Sequence, residues 1–444
     1  MDGIKPKLNR FDLTMIVVSL VIGIGIFRTP AMVAGAVHSP ILFISAWILG
    51  GIISFAGALV FAEIGSRYQK PGGYYKVVAE KYNPAFAFML NWVAIFINGA
   101  GAANVAIIGA EYLNPVIFSS SGYFSPSTQV TASFIVLILL VINYLGIKTG
   151  ARVLNILTII KICIILLIVS SIFIVSPAQM DNLSFSNEFF SSNDYSTIIY
   201  GFGVGLISVF YTYGGYQLTM NFGGDVINPK KNLPQGILFG SIIILLLYLL
   251  INYAYLNGLG IEGIMNSKLV AAAIADKSFG SAGTIFISLS IFLSALGFLN
   301  VNIMQTPRSY FAMAEDKALP KFFLKFNHKT QIQEYALLFY GVSIFVSLLF
   351  LGAFEKILNY VMFTDSITIA VVASTIFFLR WEDRKKEHDG YKLFLYPVLP
   401  AIFIIFLIMI SIYVLISSFE SALFGSIIFA LGYPVFKIMQ RVNK

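Results

Sequence analysis

Residues Gly23 to Ile26 interrupt a hydrophobic run in a way that would expose backbone groups for binding. The run extends from about residue 11 to residue 37, and Arg28 and Pro30 follow the two glycines. Glycine lowers helix stability by about 1 kcal/mol relative to alanine, and proline lacks the backbone N–H that a helix uses. The pattern predicts a helix that breaks at Gly23-Ile24-Gly25-Ile26. Broken backbone is tolerated at bilayer depth only inside protein or beside a water-filled cavity, so we expect a binding site there.

A second interrupted stretch lies in the hydrophobic run from about 197 to 222. It supplies the other residues that we predict to bind the ligand: Tyr211, Thr212, Tyr213, Gly214 and Gly215. Weaker candidates are Tyr216 and, farther along the chain, Ser294 and Asn300. Glycines that serve close helix packing would explain single positions. Two clusters in corresponding segments of inverted halves are instead typical of the central site of a transporter.

The exposed backbone of two broken helices could bind a small zwitterion. The N–H groups at the start of a half-helix favour a carboxylate, and the C=O groups at the end of one favour an ammonium group. A ligand that carries both groups close together is an α-amino acid. This chemistry permits an amino acid but does not require one, since any zwitterion or small anion could use part of it.

Lys161 is the eleventh residue of a predicted span and lies too deep for its side chain to reach water. At 1.5 Å per residue its depth is about 16 Å, which exceeds the reach of a lysine. Charged groups at that depth are costly and usually functional. A buried lysine can lose its proton near neutral pH. Lys161 could therefore couple transport to protons, or it could be a fixed cation that holds the first span against the fifth.

Arg28 and Asp365 lie at matching depths from one surface of the membrane. Arg28 is ten residues before His38, at the end of the first span. Asp365 is ten residues after Glu355, at the start of the tenth span, and each interval is about 15 Å of helix. Because unpaired charges there would be expensive, we predict an ion pair. It could be an outer gate or a permanent link, Arg28 could instead bind an acidic substrate, and Glu111 is a competing partner.

The spans that must position these residues follow from hydropathy. The chain has 444 residues, of which 58% are hydrophobic and 11% charged, whereas soluble domains carry about a quarter charged residues. We therefore predict an all-α integral membrane protein. Windows of about 20 apolar residues predict twelve transmembrane helices, at 11–37, 40–66, 84–112, 125–146, 151–175, 197–222, 235–257, 284–313, 334–353, 356–380, 394–417 and 420–437.

The twelve spans form a single predicted domain, 1–444, with an internal repeat. We predict a first five-span repeat over 11–175, an inverted second repeat over 197–380 and two further spans over 394–437, with spans 1 and 6 discontinuous. Most of the 29 Lys and Arg residues fall in the loops on one side, which predicts that both termini are cytoplasmic. The net charge of +8 thus follows from topology, and we expect no nucleic-acid binding.

Five motifs follow one another along the chain between residue 12 and about residue 400. They are Gly23-Ile24-Gly25-Ile26-Phe27; Ala62-Glu63-Ile64-Gly65 followed by Pro71-Gly72-Gly73-Tyr74; Asp225-Val226-Ile227-Asn228-Pro229-Lys230-Lys231-Asn232-Leu233-Pro234; Ser294-Ala295-Leu296-Gly297-Phe298-Leu299-Asn300; and Arg308 followed by Ala312-Met313-Ala314-Glu315-Asp316-Lys317-Ala318-Leu319-Pro320. Together they resemble the amino acid-polyamine-organocation (APC) transporters, and most of all the L-amino-acid-transporter branch. The resemblance implies a LeuT-type fold of two inverted five-helix repeats.

The resemblance also suggests roles for the intramembrane charges. In that family, the amine of the lysine that matches Lys161 is thought to stand where related sodium-coupled transporters hold a sodium ion. The sequence Arg28-Thr29-Pro30 resembles the neurotransmitter-transporter branch of the same superfold, where the arginine pairs with a span-10 aspartate across the outer entrance. Two positions depart from the APC pattern. Ile24 replaces a serine and leaves only backbone donors, and Arg28 places a cation where a small or apolar residue is usual.

We predict a secondary active transporter that moves amino acids by alternating access in the cell (inner) membrane. The cation position filled by Lys161 favours proton symport or amino acid exchange over sodium coupling. The sequence has no nucleotide-binding loop, nucleophile constellation or metal-ligand motif, so we expect no enzyme activity, cofactor or metal. The alternatives are a non-transporting membrane sensor, a membrane-embedded enzyme, and a transporter of other small amines or organic anions.

One partner of the resembling branch is not expected here. Its eukaryotic members bond a glycoprotein heavy chain through a cysteine between spans 3 and 4. The loop from Leu113 to Ser125 has no cysteine, and the only cysteine of the chain, Cys163, lies in an apolar run. We therefore expect a stand-alone bacterial or archaeal protein with partners limited to its small-molecule substrate and the lipid bilayer.

Overall fold

The structure is a computed structural model. It describes residues 6–118, 126–177, 195–267, 269–385, 389–417 and 419–443. Part of the predicted loop from Leu113 to Ser125 lies outside the described residues. Within these ranges the chain is helical, and its β-structure is confined to two isolated bridges.

Fifteen α-helices lie in the described ranges. In chain order they are α1 (Arg10–Val21), α2 (Gly25–Val37), α3 (Pro40–Arg67), α4 (Gly73–Lys81), α5 (Pro84–Phe118), α6 (Thr128–Tyr144), α7 (Ile147–Val169), α8 (Tyr195–Thr212), α9 (Pro229–Met265), α10 (Val270–Phe279), α11 (Ser281–Glu315), α12 (Glu334–Leu349), α13 (Leu351–Glu382), α14 (Val398–Ser417) and α15 (Phe419–Val442). Four 3-10 helices accompany them: Ser170–Phe173, Tyr216–Asp225, Lys321–Leu324 and Asp383–Lys385.

The prediction of a multi-pass helical membrane protein is confirmed. In the described part of the chain, nine helices are long and apolar enough to cross a membrane, and the bent pair α1 and α2 makes ten if it counts as one span. The two remaining predicted windows fall on the shorter apolar helices α6 and α12, of 17 and 16 residues. A count of twelve spans and the inverted repeat stay predictions.

The first helix breaks where the glycines predict it. α1 ends at Val21 and α2 begins at Gly25, and the two helices differ in direction by 44°. In between, the N–H of Gly23 donates to the carbonyl oxygen of Val21 at 2.8 Å. The first N–H groups of α2 and the last carbonyl groups of α1 have no partner within their own helices, so both are available to other groups.

The second interrupted stretch also breaks. α8 ends at Thr212, and the 3-10 helix Tyr216–Asp225 continues the chain. Gly215 lies between them with a φ of +120°, which an L side chain rarely adopts. A Cβ atom there would lie 2.8 Å from the carbonyl oxygen of Leu20. Glycine is therefore required at the point where the second break crosses the end of α1.

The helices around α1 hold the two breaks together. α1 packs against α7, α9 and α11 and also contacts the 3-10 helix Tyr216–Asp225. The hydroxyl of Tyr248, on α9, donates to the carbonyl oxygen of Val21 at 3.0 Å. The broken end of α1 thus lies inside the bundle, where side chains from several helices can reach its carbonyl groups.

Candidate functional site

The ammonium group of Lys161 reaches the carbonyl end of α1. Its Nζ donates to the carbonyl oxygen of Ile22 at 2.8 Å and to Oγ of Ser19 at 3.3 Å, and the residue is only 2% exposed. Ser294 donates from Oγ to the same Ile22 oxygen at 3.5 Å. Helix carbonyl ends carry partial negative charge, so a positive group is stabilised at this position and joins α7 to the broken helix.

Gly297 makes room for this lysine. A Cβ atom at Gly297 would lie 2.7 Å from Cε and 2.8 Å from Nζ of Lys161, and 3.0 Å from Oγ of Ser19. Carbon atoms essentially never approach this closely, so any larger residue would displace the ammonium group. Gly297 lies within one of the five motifs, and no role for it was predicted from the sequence. Its contact with a residue on another helix has no signal in a single sequence.

The two breaks lie side by side. A Cβ atom at Gly25 would lie 3.2 Å from Cγ2 of Thr212, the last residue of α8. Oγ1 of Thr212 also donates to Oγ1 of Thr29 at 2.9 Å, which joins α8 to α2. The structure therefore brings together the start of α2 and the end of α8, as the predicted site requires.

A cavity of about 370 Å³ adjoins the second break. Its walls come mainly from α5, α11, α13 and the segment from Phe210 to Asn221, with Leu20 of α1 and Tyr74 of α4 completing them. Five of the predicted site residues line it: Tyr211, Gly214, Gly215, Tyr216 and Asp365. The second break and Asp365 therefore border the same cavity.

The other predicted site residues do not line this cavity. They are Gly23, Ile24, Gly25, Ile26, Arg28, Lys161, Thr212, Tyr213, Ser294 and Asn300. Phe298 lines the cavity, and a Cβ atom at Gly23 would lie 3.8 Å from its ring. Phe298 thus borders both the cavity and the first break.

Tyr213 and Asn300 have packing partners away from the cavity. The ring of Tyr213 lies 4.9 Å from that of Tyr248 in a buried aromatic cluster. Asn300 accepts a hydrogen bond from Asn143 at 2.7 Å and donates to the carbonyl oxygen of Gly150 at 3.0 Å. The contacts of Asn300 join α11 to α6 and α7, so in this structure Asn300 links helices and does not border the cavity.

Polar residues missed by the sequence analysis line the cavity. Asn221 donates from Nδ2 to Oε1 of Gln305 at 2.7 Å, and Gln305 donates from Nε2 to Oδ1 of Asn302 at 3.3 Å. The N–H of Tyr74 donates to Oδ1 of Asn221 at 3.3 Å. These amides form a chain from the start of α4 to the cavity wall. Their position in apolar spans was the available signal, since buried polar groups need partners.

The structure does not bring Arg28 and Asp365 together. Arg28 is exposed, and among the side chains that the structure describes no carboxylate lies within 4.0 Å of it. Glu111, the competing partner, is also exposed and forms no ion pair with Arg28. Within the described residues, no group of three His, Cys, Asp or Glu could hold a metal ion.

Ion pairs link separate helices at the end of the bundle that carries α4. Glu63 is fully buried and accepts from Arg380 at 2.7 Å through both oxygens and from Arg67 at 2.6 Å. Nearby, Asp225 accepts from Nε of Arg308 at 2.5 Å. A buried charge is stable only when it is paired and hydrogen-bonded, and these pairs join separate helices. Several of the motif residues thus link separate helices by ion pairs.

Comparison with known proteins decides the family. A model of the family described as amino acid permease matches residues 8–432. The chain belongs to the amino acid permease family, within the APC superfamily. This confirms the resemblance seen in the motifs, and the members of the family are transporters rather than enzymes.

The permease resembles several characterised transporters over nearly its whole length. It is 29% identical to the serine/threonine exchanger SteT of Bacillus subtilis (strain 168), over 99% of this chain and 98% of SteT. It is 25% identical to the human cystine/glutamate transporter, over 98% of this chain and 85% of that protein. It is 26% identical to the human large neutral amino acids transporter small subunit 2, over 93% and 76% of the two chains. All three are amino acid transporters.

Proposed function

We propose that this permease is a sodium-independent secondary transporter that moves an amino acid by alternating access. The observation that carries the proposal is the ammonium group of Lys161 on the carbonyl end of α1, beside the second break. A transporter with a LeuT-type fold binds its substrate and coupling ion at such discontinuous helices. The similarity to a serine/threonine exchanger supports exchange as the transport mode, with proton symport as the alternative.

The substrate would bind with its α-carboxylate and α-ammonium groups on the backbone of the breaks. N–H groups at the start of α2 favour the carboxylate, and carbonyl groups at the end of α8 favour the ammonium. Gly25 and Thr212 place these two helix ends next to each other. The adjoining cavity would hold the side chain of the amino acid, since Gly214 and Gly215 line it.

Lys161 would take the place of a coupling cation. Its Nζ contacts the carbonyl oxygen of Ile22, which a sodium ion at this position would also contact. A proton that leaves and rejoins this amine would couple transport to the proton gradient. An amine that keeps its charge throughout the cycle would hold α1 against α7, and the protein would then be an exchanger.

Two sets of ion pairs would act as alternating gates. We place the end with α4 in the cytoplasm, together with both termini, because the loops there are rich in Lys and Arg. The pairs of Glu63 with Arg380 and of Asp225 with Arg308 would then close the cytoplasmic side. Arg28 and Asp365 would pair when the outer side closes.

If Arg28 and Asp365 form the outer gate, exchanging their charges should restore part of the uptake that each single variant loses. Arg28→Asp and Asp365→Arg are each expected to lower serine uptake at least about fivefold, because each places two like charges at the gate. The double variant restores opposite charges and is expected to recover a measurable part of the uptake in proteoliposomes. Serine is the substrate used in this assay because its side chain carries no charge. Normal folding of all three variants without any recovery would contradict the gate.

The surroundings of the protein are also part of the proposal. As a multi-pass membrane protein of this family, it would work in the cell (inner) membrane with its small-molecule substrate and the lipid bilayer as partners. Cys163, the only cysteine, is exposed on α7 rather than between α5 and α6. A disulfide-linked heavy chain of the kind attached to some relatives would therefore lack its anchoring cysteine.

Counterflow tests the proposed function. Proteoliposomes that contain the purified chain are loaded with one unlabelled amino acid at high concentration and diluted into a trace of the same labelled amino acid. At least one amino acid of a full panel should accumulate transiently above its equilibrium level, because a carrier exchanges both pools through one site. Liposomes without protein, loaded with the same unlabelled amino acid, are the control. If no amino acid accumulates, the protein is a sensor or carries another class of solute.

A further inference from the structure

We propose that Asp365 binds a positively charged group on the side chain of the transported molecule, which makes cationic amino acids the preferred substrates. This inference rests on the proposed transport function and names the substrate class of the same site. It assigns to Asp365 a role during substrate binding, whereas its pairing with Arg28 would belong to the closed outer gate.

Asp365 is the one acidic or basic side chain among the described residues that line the cavity. Of the residues that line the cavity in the described part of the chain, it is the only Asp, Glu, Lys, Arg or His. The remaining polar groups are neutral amides and hydroxyls, contributed by residues such as Asn91, Asn302, Gln305 and Thr368. A neutral cavity with one carboxylate selects for a ligand that brings one positive charge.

The described part of the protein supplies no cation for this carboxylate. Among the side chains that the structure describes, no Lys, Arg or His nitrogen lies within 4.0 Å of Asp365. Lys161 contacts Ile22 and Ser19 instead, and Arg28 is exposed. Charged groups within a membrane protein are costly unless they are paired. A cationic ligand would supply the missing partner.

The position of Asp365 suits one ligand that also contacts the second break. Asp365, Gly214 and Gly215 line the same cavity, so a single molecule can reach the backbone and the carboxyl group together. The volume of about 370 Å³ falls within the range of about 300–1,000 Å³ that is usual for small-molecule sites. An amino acid held by its α-groups at the breaks would extend its side chain toward Asp365.

The test compares two ligands that differ in one charged group. L-Lysine and L-norleucine have side chains of four methylene or methyl carbons, and only lysine carries a terminal ammonium. Isothermal titration calorimetry on the full chain in nanodiscs should give a Kd for lysine at least about tenfold lower than for norleucine. Equal affinities, or tighter binding of norleucine, would overturn the proposal.

Variants separate direct binding from a structural role. Asp365→Asn is expected to abolish the lysine advantage, and Asp365→Glu, which keeps the charge, is expected to retain part of it. The matched control is Thr368→Val, which removes a neutral polar group from the same cavity and should change both affinities by the same factor. If Asp365→Asn weakens both ligands equally, the carboxylate is structural. If the Asp365→Asn variant does not fold, the proposal is tested by comparing lysine with norleucine on the unmodified protein and on the Asp365→Glu variant.

The outcomes for this inference differ from those for the proposed function. Binding of norleucine or serine without a preference for lysine would overturn the role of Asp365 and leave amino acid transport intact. Failure of lysine, norleucine and serine to bind at all would contradict both.

Discussion

Substitution of Lys161 by methionine is expected to reduce amino acid uptake at least about tenfold. The lysine Nζ donates to the carbonyl oxygen of Ile22 at 2.8 Å, and the residue is 2% exposed. Methionine fills a similar volume but leaves this buried carbonyl without its charged donor, which costs about 1–3 kcal/mol. The end of α1 would then lose its link to α7, on which the proposed coupling depends. Initial rates of uptake into proteoliposomes measure the effect.

Lys148→Met provides the matched control for this variant. Lys148 lies on the same helix and is exposed, so the identical substitution there should leave uptake and folding close to those of the unmodified protein. Lys161→Met should also lower the unfolding temperature in detergent. A correctly folded Lys161→Met variant with normal uptake would show that the amine has neither a coupling nor a structural role.

Gly215→Ala is expected to abolish transport and to destabilise the fold. The residue has a φ of +120°, and an added Cβ atom would lie 2.8 Å from the carbonyl oxygen of Leu20. Strain of this kind costs about 1–3 kcal/mol, and the obstructing atom is backbone, which cannot turn aside as a side chain could. The second break would therefore shift away from α1. Uptake assays and thermal unfolding of the purified protein report the two effects.

The control for Gly215→Ala is Gly203→Ala, in the preceding helix α8. A Cβ atom at Gly203 would have no neighbour within 4 Å, and alanine favours a helix interior over glycine by about 1 kcal/mol. Gly203→Ala should therefore transport normally and be as stable as the unmodified protein or slightly more so. Equal behaviour of the two variants would mean that the glycine at the break has no special function.

The breaks and the depth of Lys161 could be predicted because they depend on local sequence. Glycine and proline weaken a helix wherever it packs, and the distance of a residue from the end of an apolar run fixes its depth. These rules located the breaks next to Gly25 and Gly215 and predicted that Lys161 lies deep within its span. The same hydropathy rules found the helices, although α6 and α12 are shorter than their predicted windows.

Other features depend on the rotation of helices, which depth does not fix. Arg28 and Asp365 were matched by depth and by a resemblance in sequence, whereas in the structure they form no ion pair and Asp365 lines the cavity. Phe298 borders both Gly23 and the same cavity, which only the packing of α11 could reveal. Likewise, Glu63 belonged to a recognised motif, but its bonds to Arg380 join residues that are 317 positions apart.

The sodium dependence of uptake by the unmodified protein tests most directly whether Lys161 occupies the place of a coupling cation. Initial rates should be measured in proteoliposomes with an amino acid that shows counterflow, in media where choline replaces sodium. Because the lysine amine already contacts the carbonyl oxygen of Ile22, we predict equal rates with and without sodium. A strict requirement for sodium would contradict this role of Lys161.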